Sequence, residues 1–438
     1  MKAAGIVLRN LRRRPLATVL TSLSVALGVG LFATVGALRE AGERGFHRTA
    51  ALCDQVVGAK GSSLQLVLNA LYHMGQSPGN VPYSLYEELR ATPGVEWAVP
   101  VAVGDAYRGH RIVGVTGDLF ARVRLPVADG SDAPLAFARG AAFDYGADRF
   151  VELKRHLEED GHGSEHGNEF PELARAVIGS ETAAATGLTL GSRFLPAHDL
   201  TGDAGAAEHE EAECEVVGVL APTGTPMDRA IFVPIGLYYV IAGHAPTDAT
   251  PEGGARDPRG LSAIYLRTRA GMHQIRIWRA INDRLDAQSA RPSEEVRNLF
   301  TLVGGIDRVL RAISALVVIV ALAGVMVAIY NTMGARRREF AVYRALGARR
   351  RTLLGLVTAE SAAIALIGGA FGLLLSAILV SFGAAILQGT TGVSVSALPD
   401  SGDLLLLAAV TAAGALAGLV PAAAAYRTEA ARILSANV

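Results

Sequence analysis

The chain has 438 residues, half of them hydrophobic and 19% charged, with a mean hydropathy of +0.32. Soluble domains carry about 25% charged residues, and this length suits two or three domains. Forty-one basic residues balance forty-one acidic ones, which argues against a strongly basic nucleic-acid-binding protein. The high apolar content argues against an intrinsically disordered chain.

The zero net charge conceals two regions of opposite charge. Residues 39–307 contain 25 basic and 36 acidic side chains and all ten histidines, whereas the rest of the chain contains 16 basic and 5 acidic side chains. The chain therefore combines two chemically different bodies.

Four long apolar runs predict membrane-spanning helices, because a span needs about 20 apolar residues. The predicted spans are residues 16–38, 312–335, 353–387 and 404–426, with an outer loop at 388–403. The first run is longer than the roughly 7–15 apolar residues of a signal peptide, so we expect an uncleaved anchor. The expected fold is an α-helical membrane protein with four transmembrane helices and a large mixed α/β extracytoplasmic domain inserted between helices 1 and 2.

The placement of arginine predicts the orientation, since basic loops stay in the cytoplasm. Basic residues occur in the segments 1–15, 336–352 and 427–438, and the loop 388–403 has none. Both termini and the loop 336–352 are therefore expected to be cytoplasmic, and residues 39–295 to form the extracytoplasmic domain.

Alternating strand and helix patterns in residues 39–295 predict a mixed α/β domain. The predicted strands are 95–103, 107–115, 215–220, 230–233 and 261–268, and the predicted helices are 83–92, 174–186 and 271–287.

Apolar residues ahead of the second span recur at alternating spacings of three and four, the a/d pattern of a coiled coil. They are Val296, Leu299, Val303, Ile306, Leu310 and Ile313. The pattern continues into the apolar run, which favours one stalk helix that enters the membrane without a break, within residues 296–335. The alternative is a helix that packs on its own domain. Gly304 and Gly305 are expected to weaken the helix locally.

The loop 336–352 places Phe340, Tyr343 and Leu346 at three-residue spacing between clusters of arginine. This pattern predicts a short amphipathic helix beneath the membrane. Two roles fit it, an anchor on lipid headgroups and a docking helix for a cytoplasmic protein.

Two polar segments, 154–169 and 198–215, are rich in histidine and acidic residues. Imidazole and carboxylate groups are zinc ligands, so the segments are a candidate zinc site; a solvated acidic loop and a pH-responsive loop are the alternatives. The candidate ligands are His156, His162, Glu165, His166 and His209. Cys53 and Cys214 could form one disulfide in an oxidising compartment.

Several catalytic motifs are absent from the sequence. It contains no G-x-x-x-x-G-K-[ST], no G-x-S-x-G and no H-E-x-x-H. We therefore expect no ATP hydrolysis and no catalytic site in this chain, and no cofactor bound by it other than the candidate zinc.

The segment RRREFAVYRALGARRRTLL (336–354), followed by a glycine-rich span that contains Glu360, resembles the FtsX-like permease family, which includes MacB-like and lipoprotein-releasing permeases. The first span and the stretch PAAAAYRTEAARIL (421–434) are similar to the corresponding parts of that family. VVGAKGSSLQLVL (56–68), ARAVIGSETAAATGLTLGSRF (174–194) and CEVVGVLAPTGTPMDRAIFVPI (214–235) resemble a MacB-like periplasmic domain.

This resemblance implies a non-catalytic permease subunit of an ABC-type transporter in the bacterial inner membrane. It implies a separate cytoplasmic ATPase that binds ATP and magnesium, a second permease chain that is identical or related, contact with membrane lipids, and a periplasmic adaptor or binding protein. It implies no nucleic-acid partner. The family works largely by mechanotransmission, in which the ATPase moves the cytoplasmic loop and the stalk moves the outer domain.

The resemblance also assigns coupling to the ATPase to particular residues of the cytoplasmic loop, and a structural or coupling role to Glu360. The coupling residues are Arg338, Glu339, Phe340, Tyr343, Arg344, Leu346 and Gly347. A signalling scaffold that activates a periplasmic partner and a zinc-handling system are the alternative functions.

Overall fold

The computed structural model describes residues 3–13, 15–126, 131–149, 153, 172–197, 213–240, 260–345, 348–391 and 401–426. The chain divides into two compact units. The helical unit comprises Met1–Gly42, Val303–Ile386 and Val395–Val438, and the α/β unit comprises Glu43–Leu302 and Leu387–Ser394.

The helical unit contains the short helix α1 and the long apolar helices. They are α1 (Ala3–Arg13), α2 (Pro15–Ala50), α9 (Pro292–Ala345), α10 (Arg350–Thr391) and α11 (Ser401–Tyr426), of which α2, α9 and α10 also contribute residues to the α/β unit. Within the described part of the chain, four helical segments are long and apolar enough to cross a bilayer: Pro15–Ala50, Arg308–Asn331, Arg351–Gly383 and Ser401–Ala423.

Helix α9 is one unbroken helix of 54 residues, which at 1.5 Å per residue is about 80 Å long. It includes Gly304 and Gly305 and extends through the first ten residues of the loop 336–352. The separate amphipathic helix expected for this loop is therefore wrong for residues 336–345. No proline occurs between Ser293 and Ala345, so the sequence contains no strong helix breaker at this point.

Glycines allow α2, α10 and α11 to pack closely. A Cβ atom on Gly368 would lie 2.7 Å from the backbone oxygen of Ser22, and one on Gly372 would lie 2.8 Å from that of Ala26. Gly414 packs in the same way on Ala365 of α10. Small residues four apart let helix backbones approach closely in membrane proteins. The close packing of this unit therefore depends on glycine at these positions.

The α/β unit is built on a mixed sheet. Its strands are β1 (Gln55–Gly58), β3 (Val95–Tyr107), β4 (His110–Val115), β7 (Phe137–Gly140), β8 (Arg175–Ile178), β9 (Arg193–Phe194), β10 (Cys214–Leu220), β11 (Ile231–Pro234), β13 (Ala263–Thr268) and β14 (Gln288–Ala290). Among the described residues the order is β14-β1-β13-β3-β4-β11-β8-β10-β7, with β9 on β10. The pairs β4–β11 and β8–β10 are parallel and the others antiparallel.

Short elements complete the unit. Two small ladders join β2 (Val81–Pro82) to β12 (Gly260–Leu261) and β5 (Arg124–Pro126) to β6 (Asp132–Pro134). The helices are α3 (Ser63–Tyr72), α4 (Tyr83–Ala91), α5 (Asp118–Arg122), α6 (Ser180–Thr186), α7 (Ile235–Val240) and α8 (Met272–Asn282), with a 3₁₀ helix at Pro226–Arg229.

Two expected helices differ from the observed structure. Residues 174–186 form strand β8 and helix α6 rather than one helix. The two elements are separated by Gly179, where the chain turns. The chain packs closely on Asp228 there, so that a Cβ on Gly179 would overlap the carbonyl oxygen of Asp228. The helix expected at 271–287 ends at Asn282, whose side chain bonds to the backbone N–H and C=O of Ser289 at 3.2 and 3.1 Å. Ser289 lies in strand β14, so this contact holds the end of the helix against that strand.

Candidate functional site

Helices α2 and α9 connect to neighbouring strands of the sheet. Helix α2 leads into β1, and β14 leads into α9. The strands β1 and β14 are an antiparallel pair in which Val56 lies opposite Ala290 and Val57 opposite Ser289. Within the α/β unit, the end of α2 and the start of α9 therefore flank one hydrogen-bonded ladder.

The connection from α2 to β1 is held by Arg267 of β13. Its guanidinium donates from Nη2 to the carbonyl oxygens of Ala51 and Leu52 at 3.0 and 3.1 Å, and from Nη1 to Asp54 Oδ1 at 3.0 Å. The guanidinium carbon also lies 5.7 Å from the centre of the Trp97 ring. The guanidinium thus binds two carbonyls just beyond the end of α2, where the helix dipole favours a cation.

Asp54 fixes the same connection from the other side. Its Oδ2 accepts the backbone N–H of Thr268 at 2.9 Å, and its own backbone N–H donates to Leu266 O at 2.9 Å. The four residues between α2 and β1 are therefore bonded to β13 at several points, and this segment is a rigid link rather than a free loop.

The connection from β14 to α9 is short. Pro292 begins the helix two residues after Ala290, in the position where proline is favoured because its missing N–H costs nothing. Arg291 pairs with Glu294 at 2.6 Å and lies over the Trp278 ring at 4.9 Å. Val296, the first residue of the expected seam, is fully buried in the core of the α/β unit.

Aromatic side chains join α2 and α9 to each other within the α/β unit. Phe46 of α2 stacks on Tyr72 of α3 with ring centres 4.6 Å apart, and Phe300 of α9 meets Phe46 edge-on at 5.6 Å. The Tyr72 hydroxyl donates to Phe46 O at 2.6 Å. We call Phe46, Tyr72 and Phe300 the aromatic junction. Such ring pairs add about 0.5–1.5 kcal/mol beyond burial.

The remaining residues of the predicted seam are described only in part, so the seam stays a prediction. Leu299 is half-buried, whereas Leu310 and Ile313 are 43% and 48% exposed. The side chains of Val303 and Ile306 lie outside the described residues. In the helical unit, α9 instead buries Ala321, Val325 and Ile329.

The cytoplasmic loop and the histidine segments are only partly described. Helix α9 contains Arg338, Glu339, Phe340, Tyr343 and Arg344, but their side chains lie outside the described residues, as do Leu346 and Gly347 entirely. The candidate zinc ligands His156, His162, Glu165, His166 and His209 also lie outside the described residues. Zinc binding by these segments stays a prediction; the described parts of the chain contain no cluster of potential metal ligands. Glu360 lies buried in α10.

The two cysteines do not form the disulfide that the sequence allows. Both are buried, and neither takes part in a disulfide. Cys53 precedes β1 and Cys214 begins β10, six strand steps away, or roughly 29 Å at about 4.8 Å per step, whereas a disulfide needs Cα atoms within about 7 Å. Burial raises the pKa of both thiols, that of Cys214 to about 12, so neither is a reactive thiolate.

Comparison with known families matches two sequence models to this chain. The MacB-like periplasmic core domain matches residues 18–281, and the C-terminal part of the FtsX-like permeases matches residues 311–430. No curated protein matches the sequence.

Two solved structures are similar to part of the chain. The periplasmic region of MacB from Actinobacillus actinomycetemcomitans aligns with a TM-score of 0.31 and 10% identity, over 57% of this chain and 94% of that structure. The extracellular domain of the noncanonic ABC-type transporter YknZ from Gram-positive bacteria aligns with a TM-score of 0.29 and 16% identity, over 54% of this chain and 98% of that structure.

Four helices long and apolar enough to span a bilayer, together with a mixed α/β unit, are consistent with a membrane protein that carries a large domain. The two family matches make the assignment specific. The chain belongs to the FtsX-like permease family with a MacB-like periplasmic core domain, and it is a permease subunit of an ABC transporter. Permeases of this family are generally non-catalytic and work with an ABC ATPase partner.

The sequence analysis did not identify the residues that hold the connections between the two helices and the sheet. Neither the pair of Asp54 and Arg267 nor the aromatic junction follows any motif, since their members come from separate elements. Strands β1 and β14 have four and three residues, too few for an alternating pattern to be detected. The one available signal was Phe300, which lies next to the predicted seam.

Proposed function

We propose that this permease converts ATP hydrolysis by a separate cytoplasmic ATPase into motion of its α/β domain on the periplasmic side of the inner membrane. The motion exports a substrate or extracts it from the outer leaflet. Residues 336–347 form the contact with the ATPase, α9 carries the displacement, and the α/β domain delivers it to the substrate or to a periplasmic partner. A second permease chain completes the complex.

The observation that carries this proposal is the meeting of α2 and α9 at one ladder. Helix α2 ends a few residues before β1, and α9 begins a few residues after β14. The strands β1 and β14 pair directly. A displacement of either helix therefore acts on the sheet through backbone hydrogen bonds and not through a flexible linker. A rigid helix attached to a rigid sheet is what transmission over a long distance requires.

The side chains at both connections support the same role. Arg267 and Asp54 bind the end of α2 to β13, and the aromatic junction joins α2 to α9. Together they make the ends of the two helices one body. These 438 residues contain no G-x-x-x-x-G-K-[ST] motif, which supports an ATPase outside them as the source of energy.

The test is a helix break in α9 at a residue that makes no packing contribution. Leu302 is largely exposed, so Leu302→Pro interrupts the helix at a cost of about 3 kcal/mol without removing core contacts. Leu302→Ala is the matched control because alanine keeps the helix. Both variants would be assembled with the ATPase in lipid nanodiscs.

The readout is the ATP-dependent distance between the α/β domains of two permease chains, measured by spin labels on Leu285→Cys. Leu285 is 97% exposed, and the two native cysteines are buried and therefore resist labelling. We expect Leu302→Pro to keep ATP hydrolysis but lose the distance change, and Leu302→Ala to keep both. A full distance change in Leu302→Pro contradicts transmission through α9.

A further inference from the structure

A groove lies between helices α4 and α8 of the α/β unit. Leu85 and Leu89 of α4 line it on one side, and Ile277 and Ile281 of α8 line it on the other. The two members of each pair are four residues apart, which places them on one face of their helix. All four side chains are buried in the domain. Together they form the apolar floor of the groove.

Both ends of the groove are fixed by contacts between its two sides. At one end, Arg284 Nη1 donates to Glu88 Oε2 at 3.0 Å. At the other end, the backbone N–H of Arg269 donates to Gly94 O at 2.8 Å, and a Cβ on Gly94 would lie 2.7 Å from His273 Nδ1. The His273 ring therefore packs on the turn that follows α4. The groove is formed before any ligand arrives, and such preorganisation lowers the cost of binding.

The dimensions of the groove select among possible ligands. Its volume is about 300 Å³, at the lower end of the roughly 300–1,000 Å³ of small-molecule sites. From His273 to Ile281 the groove follows α8 for about 12 Å, at 1.5 Å per residue. Spread over that length, the volume corresponds to a cross-section of about 25 Å². A helix with its side chains is about 10–12 Å across, so the groove is too narrow for a helix and wide enough for one extended chain.

The side of the groove formed by α8 is basic. His273 and Arg276 line it one turn apart, and both are exposed. The first turn of α8 contains no acidic residue, so the helix dipole adds to the positive potential at this end. Glu88 is the one carboxylate among the described lining residues, and Arg284 binds it. Arg276 makes no ion pair within the described parts of the chain, so its charge is available to an anion.

We propose that this groove binds a fatty acid, with the chain on the apolar floor and the carboxylate paired with Arg276. A guanidinium binds a carboxylate through two parallel N–H···O bonds, and His273 offers another N–H donor beside it. Each methylene that the floor removes from water favours binding. A folded partner would bury about 800 Å² on each side, far more than a groove of this size offers. The proposal concerns binding alone and holds whether or not α9 transmits motion.

Photoaffinity labelling of the full-length chain in lipid nanodiscs tests this site. The probe is decanoic acid that carries a diazirine on its chain, and mass spectrometry of peptides locates the label. We expect saturable labelling within residues 85–93 and 273–284, which decanoate suppresses and decyltrimethylammonium does not. Labelling confined to other parts of the chain, or equal suppression by the cationic amphiphile, overturns the proposal.

A substitution at Arg276 tests the binding of the carboxylate. Arg276→Gln should weaken binding about tenfold, because one charged hydrogen-bonding group is lost. Arg279→Gln is the matched control, since Arg279 is an exposed arginine of the same helix that does not line the groove. This variant should keep the wild-type affinity. An equal loss in both variants would show that the general charge of α8, and not this groove, attracts the probe.

A second substitution tests the binding of the chain. Ala280 lines the groove at an exposed position, so Ala280→Phe fills the groove without removing core contacts and should abolish labelling there. Ala91→Phe, at an exposed position of α4 outside the groove, is the control and should label like the wild type. The unfolding temperature is checked for each variant. Unchanged labelling in Ala280→Phe, or suppression by a glutamate-rich peptide as strong as that by decanoate, contradicts the assignment to a fatty acid.

Discussion

The guanidinium of Arg267 lies 3.0 Å from the carboxylate of Asp54, across the connection between α2 and β1. The same guanidinium bonds to two carbonyls just beyond the end of α2, so one side chain joins a candidate membrane helix to a central strand of the sheet. Asp54 completes the link through its bonds to Thr268. The residues 51–54 are therefore part of the sheet structure rather than a hinge.

Replacement of Arg267 by lysine should destabilise the α/β domain. The ammonium group of Arg267→Lys cannot bond to Asp54 and to the Ala51 and Leu52 carbonyls at once. Loss of these charged hydrogen bonds should lower the free energy of unfolding by about 1–3 kcal/mol. Urea unfolding followed by tryptophan fluorescence measures it, since Trp97 lies beside the guanidinium.

Arg284→Lys is the control for this prediction. Arg284 pairs with Glu88 and Asp286, both at 3.0 Å, but on the surface of the domain. Exposed ion pairs contribute under about 1 kcal/mol, so this variant should stay close to the wild type. If Arg284→Lys costs as much as Arg267→Lys, the stabilisation does not come from the link between α2 and the sheet.

Addition of a methyl group at Gly372 should disturb the packing of the helical unit. The new Cβ in Gly372→Ala would lie 2.8 Å from Ala26 O and from Val29 Cβ, so α2 and α10 must move apart. Overpacking of this kind costs about 1–3 kcal/mol. The unfolding temperature of the detergent-solubilised chain should fall.

The matched control is Gly324→Ala, at a helical glycine of α9 with open space around its Cβ position. Alanine favours the helix over glycine by about 1 kcal/mol, so this variant should unfold at the same or a higher temperature. A fall of equal size in both variants would show that the glycines do not set the distance between α2 and α10.

The amino-acid sequence predicts those parts of the fold that depend on long, local patterns. The four apolar runs indicate the four long helices, and the strands around residues 215–220 and 230–233 flank a turn marked by Pro222, Gly224 and Pro226. Residues 174–186 were expected to be helical because the alanines favour a helix. The segment is divided at Gly179, which contacts Asp228. These two residues are far apart in the sequence, so no local pattern predicts their contact.

The connections between helices and sheet could not be predicted for the same reason. Strands β1 and β14 are short and pair across more than 200 residues of chain, so their formation depends on tertiary contacts that no window of sequence contains. Arg267 is one of many arginines in the chain, and only the fold places it at the end of α2.

The pair Gly304 and Gly305 distinguishes a rod from a hinge in α9. Neither glycine has a neighbour within 4 Å of its Cβ position, so alanine fits at both sites without a clash. Each substitution should stabilise the helix by up to about 1 kcal/mol and slow local hydrogen exchange about fivefold. Hydrogen exchange followed by mass spectrometry over residues 298–312 measures this effect.

If α9 transmits motion as a rod, the double variant Gly304→Ala with Gly305→Ala should keep the ATP-dependent distance change between α/β domains. Gly355→Ala in α10, also in open space, is the control for a helical glycine outside the stalk. Loss of the distance change in the double variant, with Gly355→Ala unaffected, would show that the two glycines bend during the cycle.

Acidification should destabilise the α/β domain through His73. Burial and the charges of Arg111 and Arg229 lower its pKa in the folded chain from the ordinary value of 6.5 to about 3. Protons therefore bind more readily to the unfolded chain, so this contribution to stability is complete above about pH 6.5 and decreases as the pH falls toward 3. One proton gives a slope of up to about 1.4 kcal/mol per pH unit. Urea unfolding at a series of pH values measures it.

His73→Asn isolates this contribution, since asparagine tolerates the left-handed conformation and has no proton to gain. The variant should show a shallower loss of stability than the wild type across the same pH window. An unchanged slope in His73→Asn would contradict the assignment of the pH dependence to this residue.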